Sequence, residues 1–347
     1  MDELTMLHTA RDLPPTSLDD LSESRTALDR AIAGAHPRTH ARTRVHRRAG
    51  WAFASVGVAA AFAIGLVATN VTVFGGTQHG ASAQAAELLT AAADTTIHTI
   101  DPVVGPNQYL RIDTKGTSGE MTSDATGTNV VGYLVKTSSS LFIPKSAQTN
   151  WVFLRSLPVT FQTFGAASEA YATKSQAAMF AEHGTTGEYF LGLDGNFQGR
   201  PDYTPASLHA LPRDPKALLD HFYAMNPGSG NSNDGKTFNL IVDVLTTGFV
   251  PADLRAALYR AATQIPGVNV TEKDVTMDGR TGISIGRTEN KTSVRHDIII
   301  DPTDGLVIGQ RTIFLTGDSG YPAGTAVGST SVTTTVVDTA PDHAPSK

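Results

Sequence analysis

The sequence predicts an α+β protein in which a single transmembrane helix precedes an extracytoplasmic antiparallel sheet with packed helices. Three observations predict this class. The long window between Arg48 and Glu87 contains no Lys, Arg, Asp or Glu. Several later segments alternate apolar and polar residues, as strands with one buried face do. Others repeat apolar residues at helical spacing. The 347 residues suffice for one sizeable domain or two modest ones.

The first 48 residues are predicted to form a cytoplasmic tail with short helices. Residues 2–12 form one candidate helix, which the following prolines end. A second helix is predicted from Leu18, Leu21, Leu28 and Ile32, which recur at helical spacing. One interpretation is a docking helix for a cytoplasmic protein partner. The other is a marginal amphipathic tail that lies on the membrane or stays partly disordered.

A transmembrane helix is predicted over residues 50–72. Within it, Trp51 to Thr69 contains only apolar residues, Gly, Ser and Thr, and about 20 such residues span a bilayer. Ala81 to Ala83 resembles a signal-cleavage motif but lies well beyond the apolar run, so we expect a retained anchor. Five topogenic arginines precede the helix with no acid among them, which keeps the N-terminus in the cytoplasm: Arg38, Arg42, Arg44, Arg47 and Arg48.

The rest of the chain is predicted as a flexible stalk (73–86), one extracytoplasmic α+β domain (87–338) and a disordered tail (339–347). The domain begins with an Ala-rich helix over 87–100. Successive antiparallel strands follow over 107–114, 129–136, 140–143 and 150–154. Weaker patterns predict a helix over 168–183 and a strand over 187–193.

The second half of the domain has clearer patterns. Asp214 followed by Pro215 begins one helix, residues 236–247 form a buried helix or strand, and 251–264 form a strongly amphipathic helix. A β meander then covers 268–275, 279–288, 293–300 and 306–315, with a last strand over 327–337. Turn residues at 278–279 and 301–305 join its hairpins.

Composition excludes several functions. The chain has no cysteine, which excludes disulfides, thiol nucleophiles and thiolate metal sites. Residues 75–347 hold nineteen Lys or Arg against twenty-six acids, with no basic stripe for nucleic acid. We therefore expect no nucleic-acid partner and no cofactor.

Most catalytic motifs are missing. His296 and Asp297 are neighbours on a predicted strand and face opposite sides, so they cannot share a metal ion. Residues 301–305 lack the full ligand spacing of a calcium loop and are predicted to be a turn. The glycine strings at 116–119 and 228–230 lack a nucleophile elbow and are predicted to be loops. Gly282 and Gly286 lack the helix that follows a phosphate loop. Acids that an unrecognised enzyme site could use lie in the weakly patterned region: Glu182, Glu188, Asp194 and Asp202.

Six aromatic residues are concentrated between the two better-patterned halves of the domain. One interpretation places them in the core of the sheet. The other makes them the lining of a site that accepts an acyl chain or an apolar segment of a partner. These candidate ligand-lining residues are Trp151, Phe153, Phe161, Phe164, Tyr189 and Phe190.

Several separated strings resemble a family of actinobacterial single-pass membrane proteins of unknown function. They include MDELTMLHTARDLPPTS, LHALPRDPKALLDHF, PADLRAALYRAATQIPGVNV and IIIDPTDGLVIGQRTIFL. A more distant resemblance concerns architecture: a curved antiparallel sheet closed by helices is similar to the half-barrel of lipoprotein carriers and periplasmic anti-sigma regulators. These resemblances imply a membrane location and an apolar concave face. They imply no catalytic residues, and a tail without cysteine departs from zinc-binding anti-sigma factors.

The sequence thus predicts a non-enzymatic, membrane-anchored binding or sensor protein with its C-terminal domain outside the cell membrane. Its expected ligand is a lipid, a lipoprotein or another envelope component, which the sequence does not identify further. The first alternative is a transmembrane signalling regulator of the anti-sigma type that acts through its cytoplasmic tail. The second is an envelope enzyme with an unrecognised site.

Overall fold

The computed structural model describes residues 80–123, 130–197, 203–225 and 232–343. Its main element is a ten-stranded antiparallel sheet. The strands are β1 (Tyr109–Ser123), β2 (Val130–Pro144), β3 (Asn150–Arg155), β4 (Val159–Thr163), β5 (Glu188–Leu193), β6 (Val268–Met277), β7 (Arg280–Glu289), β8 (Val294–Ile300), β9 (Val307–Phe314) and β10 (Thr325–Val337). They lie in the order β5-β3-β2-β1-β10-β9-β8-β7-β6, and β4 also pairs with β2.

Helices connect and cover the strands. They are α1 (Ala83–Thr96), α2 (Ala166–His183), α3 (Pro205–Ala210), α4 (Pro215–Ala224), α5 (Asn233–Leu245) and α6 (Ala252–Ala262). Their first residues follow familiar capping chemistry: the side chains of Ser82, Asp214 and Ser232 each accept a backbone hydrogen bond at the start of α1, α4 and α5.

The predicted fold class is wrong. The described chain is mostly antiparallel sheet with few helices, and none of the described helices is both long and apolar enough to cross a membrane. The span predicted over 50–72 lies outside the described residues, as do the tail and its arginines. Ten strands join the sheet, and β1 and β2 are each fifteen residues long, which is longer than the strands predicted over 107–114 and 129–136.

The long strands absorb segments that the sequence predicts as loops. Residues 116–119 lie within β1, and the two strands predicted over 129–136 and 140–143 are one continuous strand, β2. Fifteen consecutive residue pairs join β1 to β2, from Tyr109 with Pro144 to Ser123 with Val130. Serine, threonine and glycine weaken the apolar alternation without breaking the hydrogen-bond ladder, which involves only the backbone.

The main core lies between one face of the sheet and helices α1, α4, α5 and α6. Fully buried side chains from the helices include Leu89, Phe222, Phe238 and Tyr259. Several strands of the sheet contribute inward-facing residues to the same core, among them Ile112, Ile143, Ile285, Ile298 and Val332. Segment 236–247, predicted as helix or strand, is the helix α5.

Two contacts fix the helical layer to the sheet. The hydroxyl of Tyr259 in α6 donates a hydrogen bond to the carbonyl of Gly305 in the β8–β9 turn, 2.8 Å away. At the other end, the carboxylate of Glu289 accepts from the backbone N–H and the hydroxyl of Ser232, just before α5, and pairs with Arg287. We call this the Glu289 latch, since it attaches the start of α5 to β7.

The turns of the meander confirm their sequence predictions. Asp278 and Gly279 both have positive φ, 46° and 80°, which a two-residue hairpin with the twist of its strands requires. Residues 301–305 form the β8–β9 turn, in which the Gly305 N–H donates to the Asp301 carbonyl.

At the N-terminal boundary of the predicted domain, α1 begins at Ala83 and Ala85 is fully buried. The packed part therefore begins before residue 87.

Candidate functional site

An apolar cleft of about 440 Å³ opens between the sheet and the loops that flank helices α1 and α6. This volume lies in the range of small-molecule sites. Its walls come from segments far apart in the chain: the loop after α1, strands β1 and β10, the α5–α6 loop and the start of β9. The apolar lining residues are Ile100, Pro102, Leu110, Leu245, Phe249, Val250, Leu306, Val307 and Val332.

Exposed aliphatic side chains occur in the segment after α1, which contributes Ile100 to the cleft. Ile100, a lining residue, is 92% exposed, and Val103 is 80% exposed. Ile97, one helical turn earlier, is also exposed. We call residues 97–103 the rim segment. Large exposed aliphatics that follow one another beside an apolar cleft are typical of a surface that meets another apolar group.

Arg255 of α6 holds the rim segment in place. Its guanidinium donates to the hydroxyls of Thr96 and Thr99, to a carboxylate oxygen of Asp101 and to the carbonyl of Val250, at 2.5–3.2 Å. The side chain is only 11% exposed. The second oxygen of Asp101 accepts from the Ala252 N–H at the start of α6, 2.9 Å away. Arg255 is therefore a positioning residue for the cleft.

A second cation, Arg280, lines the cleft with fewer partners. Among the described residues its hydrogen bond goes to Asp301, at 3.3 Å, and its side chain is about one-third exposed. Burial acts to raise the pKa of Asp301, but hydrogen bonds from Thr303 and from Arg280 hold that pKa below its usual value. The cleft thus combines apolar walls with one guanidinium that an anionic group could approach.

A second cavity, of about 390 Å³, lies between helix α5 and the sheet and is polar. Asn239 and Asp243 line it from the helix, and His296 lines it from β8. Six hydroxyl-bearing residues contribute to its walls: Thr117, Ser118, Thr137, Thr312, Ser329 and Thr330. The cleft and this hydroxyl cavity occupy successive parts of β10, since residues 328–330 line the cavity and 332–334 line the cleft.

The structure separates the six aromatic residues predicted to line a ligand site. Trp151 is 1% exposed in the main core, where its ring meets Phe249 edge-on at 6.4 Å. Because Phe249 lines the cleft, Trp151 supports that wall from behind. Phe153 stacks on Phe190 at 6.0 Å, and Tyr189 precedes Phe190 on β5.

The remaining two aromatic residues lie elsewhere. Phe161 is exposed on β4, with the ammonium of Lys136 4.1 Å from its ring centre. Phe164 packs edge-on against Tyr321 at 5.6 Å. Both line a shallow hollow with Leu134 and Pro322. None of the six predicted aromatics is among the residues that line the apolar cleft.

The candidates for catalysis also stay apart. His296 lines the hydroxyl cavity, whereas Asp297 is fully buried and binds Arg295 and Arg311. In the part of the chain that the structure describes, no three His, Asp or Glu residues are grouped closely enough to hold a metal ion. Glu188 pairs with Arg155 across β3 and β5. Residues 202 and 228–230 lie outside the described ranges.

Sequence reasoning missed the cleft, the rim segment and Arg255. The rim had a signal: Ile97, Ile100 and Val103 are aliphatics on either side of an Asp-Pro pair that ends a helix. The predicted helix over 87–100 included the first two, whereas α1 ends at Thr96. The cleft itself had no local signal, because residues 100–110, 245–251 and 332–334 meet only in the folded chain.

Comparison with known proteins adds no family. No protein-family model matches the chain, and no curated protein matches it.

Proposed function

We propose that the chain is a non-enzymatic binding protein on the outer side of a cell membrane, and that its cleft holds the apolar chain of a lipid or a lipoprotein. The observation that supports this most is the apolar cleft itself, with exposed aliphatics on its rim segment. Arg280 lies where it can pair with an acidic head group while the apolar chain contacts Leu306 and Val307. We propose the location on the outer side of the membrane from the charge pattern of residues 38–87, in which a run of arginines precedes an uncharged apolar window.

The binding energy would come chiefly from apolar area removed from water, about 25 cal/mol per Å². A methylene group that enters the cleft therefore contributes on the order of 0.8 kcal/mol. The rim aliphatics would be covered at the same time. Coverage by a bound ligand would explain why the rim segment carries large aliphatic side chains that are exposed in the free chain.

Equilibrium dialysis of the full-length chain against radiolabelled palmitate tests the proposal. Leu306→Trp narrows the cleft, and Leu315→Trp adds the same ring at an exposed position just after β9, away from the cleft. Both variants are measured at one detergent concentration, so partition of palmitate into detergent cancels. We expect binding at least tenfold weaker in Leu306→Trp and unchanged in Leu315→Trp, a difference of about 1.4 kcal/mol. Equal binding by both variants and the parent chain would show that palmitate does not bind in the cleft.

A further inference from the structure

The hydroxyl cavity differs from the apolar cleft in the chemistry of its walls. Among its lining residues only Val242 carries a large apolar side chain, whereas six carry hydroxyl groups. A hydroxyl both donates and accepts hydrogen bonds. Thr117 and Ser329 bond to each other across β1 and β10 at 2.9 Å, and strand alternation places their side chains on the sheet face opposite Thr330, where both also line the hollow beside Phe161. The others include Thr137 and Thr330, which stand on neighbouring parts of the same sheet surface.

Asn239 brings an amide into this cavity from helix α5. Its Oδ1 is buried and has no hydrogen-bond partner among the described residues. A buried amide oxygen without a partner costs about 1–3 kcal/mol, so a donor that reaches it would be bound favourably.

His296 adds a neutral imidazole. Burial lowers its pKa below the usual value, while nearby Asp297 opposes that shift. Its Nδ1 lies 3.2 Å from the Thr312 hydroxyl. Its Nε2 forms no hydrogen bond to any described residue. The ring is thus one more uncharged hydrogen-bonding group at the wall of the cavity.

The charges around the cavity disfavour a phosphate or a metal ion as its ligand. Arg311 lines it, but its guanidinium is paired with Glu272 and with Asp297, each about 3 Å away. The carboxylates of Glu272 and Asp297 thus balance the charge of Arg311 through one terminal nitrogen, while its Nε is buried and has no hydrogen-bond partner among the described residues. One histidine and Asp243 are too few side chains for a metal site.

We infer that the hydroxyl cavity is a second binding site, separate from the apolar cleft, for a neutral polyhydroxyl ligand such as a sugar. The hydroxyls of Thr137 and Thr330, the amide of Asn239 and the imidazole of His296 would exchange hydrogen bonds with the ligand's hydroxyls. A cavity of 390 Å³ is large enough for a small saccharide unit. This inference does not depend on lipid binding in the cleft.

Saturation-transfer NMR on the full-length chain tests it with glycerol, glucose, maltose and triglycine as probes. We expect transfer to glucose or maltose, reduced at least fivefold in Asn239→Leu and retained in Asn269→Leu, whose exposed amide lies on β6 outside the cavity. Since Asn239→Leu alters a helix in the core, Thr137→Val provides a second variant that removes one hydroxyl at nearly constant volume. It too should reduce transfer.

Three results would overturn the inference. The first is no transfer to either sugar. The second is transfer that neither Asn239→Leu nor Thr137→Val reduces, which would place the sugar elsewhere. The third is transfer to triglycine alone, which would assign the cavity to a peptide.

Discussion

Arg255 offers the sharpest test of how the cleft is built, through the substitution Arg255→Met. Methionine keeps the apolar stem of the side chain and removes every hydrogen bond that Arg255 donates, while Asp101 keeps its bond from the Ala252 N–H. Four acceptors lose their donor: Thr96, Thr99, Asp101 and Val250. The arginine is 11% exposed, so its charge is largely removed from water.

The magnitude follows from these contacts. Loss of one partner of a buried ion pair costs about 3–5 kcal/mol, but Asp101 is 43% exposed and water can solvate it again. The two threonine hydroxyls can also turn to other acceptors. We therefore expect a loss of about 2–4 kcal/mol in the free energy of unfolding. A domain stable by about 5–15 kcal/mol would still fold.

Arg260→Met is the matched control. Arg260 lies on the same helix, and its ion pair with Asp94 is exposed on both sides, at 2.7 Å. Exposed pairs contribute about 0.2–1 kcal/mol. Urea unfolding of both full-length variants gives the two free energies. Hydrogen exchange gives a second readout: the rim amides should exchange faster in Arg255→Met, while amides inside α4 keep their protection.

Equal free energies for the two variants would refute the reasoning. So would unchanged exchange at residues 97–103, because Arg255 would then stabilise α6 without holding the rim.

Three further predictions concern the sheet and the cavity. Asp297→Asn should lower the free energy of unfolding in urea by about 2–4 kcal/mol, because Arg295 and Arg311 lose their buried carboxylate and keep only the partly exposed Glu272. Asp278→Asn, at an exposed pair with Lys115, should cost under about 1 kcal/mol. Gly235→Ala should cost about 1–3 kcal/mol, because its methyl group would overlap the carboxylate of the Glu289 latch; Gly328→Ala meets only ordinary contacts and should cost less. Below about pH 6.5 His296 binds a proton in the unfolded chain but not in the folded chain, where burial lowers its pKa. The free energy of unfolding should therefore decrease as the pH is lowered, by at most about 1.4 kcal/mol per pH unit.

Each of these predictions has its own contrary result. Equal unfolding midpoints for the two aspartate variants would show that the buried cluster adds no more than a surface pair. Equal midpoints for the two glycine variants would mean that the latch moves aside at little cost. His296→Gln should flatten the dependence of stability on pH just below 6.5. An unchanged slope would show that other titratable groups cause this pH dependence.

Local chemistry made much of the C-terminal half predictable. The spacing of Leu254, Ala257, Leu258 and Ala261 predicts α6, and all four are buried. The Asp278-Gly279 pair predicts the β6–β7 hairpin, where both residues adopt the positive φ that this turn needs. In these segments the residues that decide the structure are close together in the chain.

The long strands and the binding site could not be predicted in the same way. The Ser and Thr residues of β1 and β2 follow no strict alternation, and only pairing with the neighbouring strand holds them extended. The cleft joins Ile100, Phe249 and Val332 across more than half of the domain. The aromatic cluster between residues 151 and 190 predicted a ligand site, but most of it packs against itself or other parts of the sheet.

Native mass spectrometry of the full-length chain, purified from its own membrane in mild detergent, tests the central claim most directly. The account predicts a reproducible extra mass of lipid size, lost in Leu306→Trp and kept in Leu315→Trp. The absence of extra mass from the parent chain and from both variants would contradict it. So would a bound lipid that is retained in Leu306→Trp.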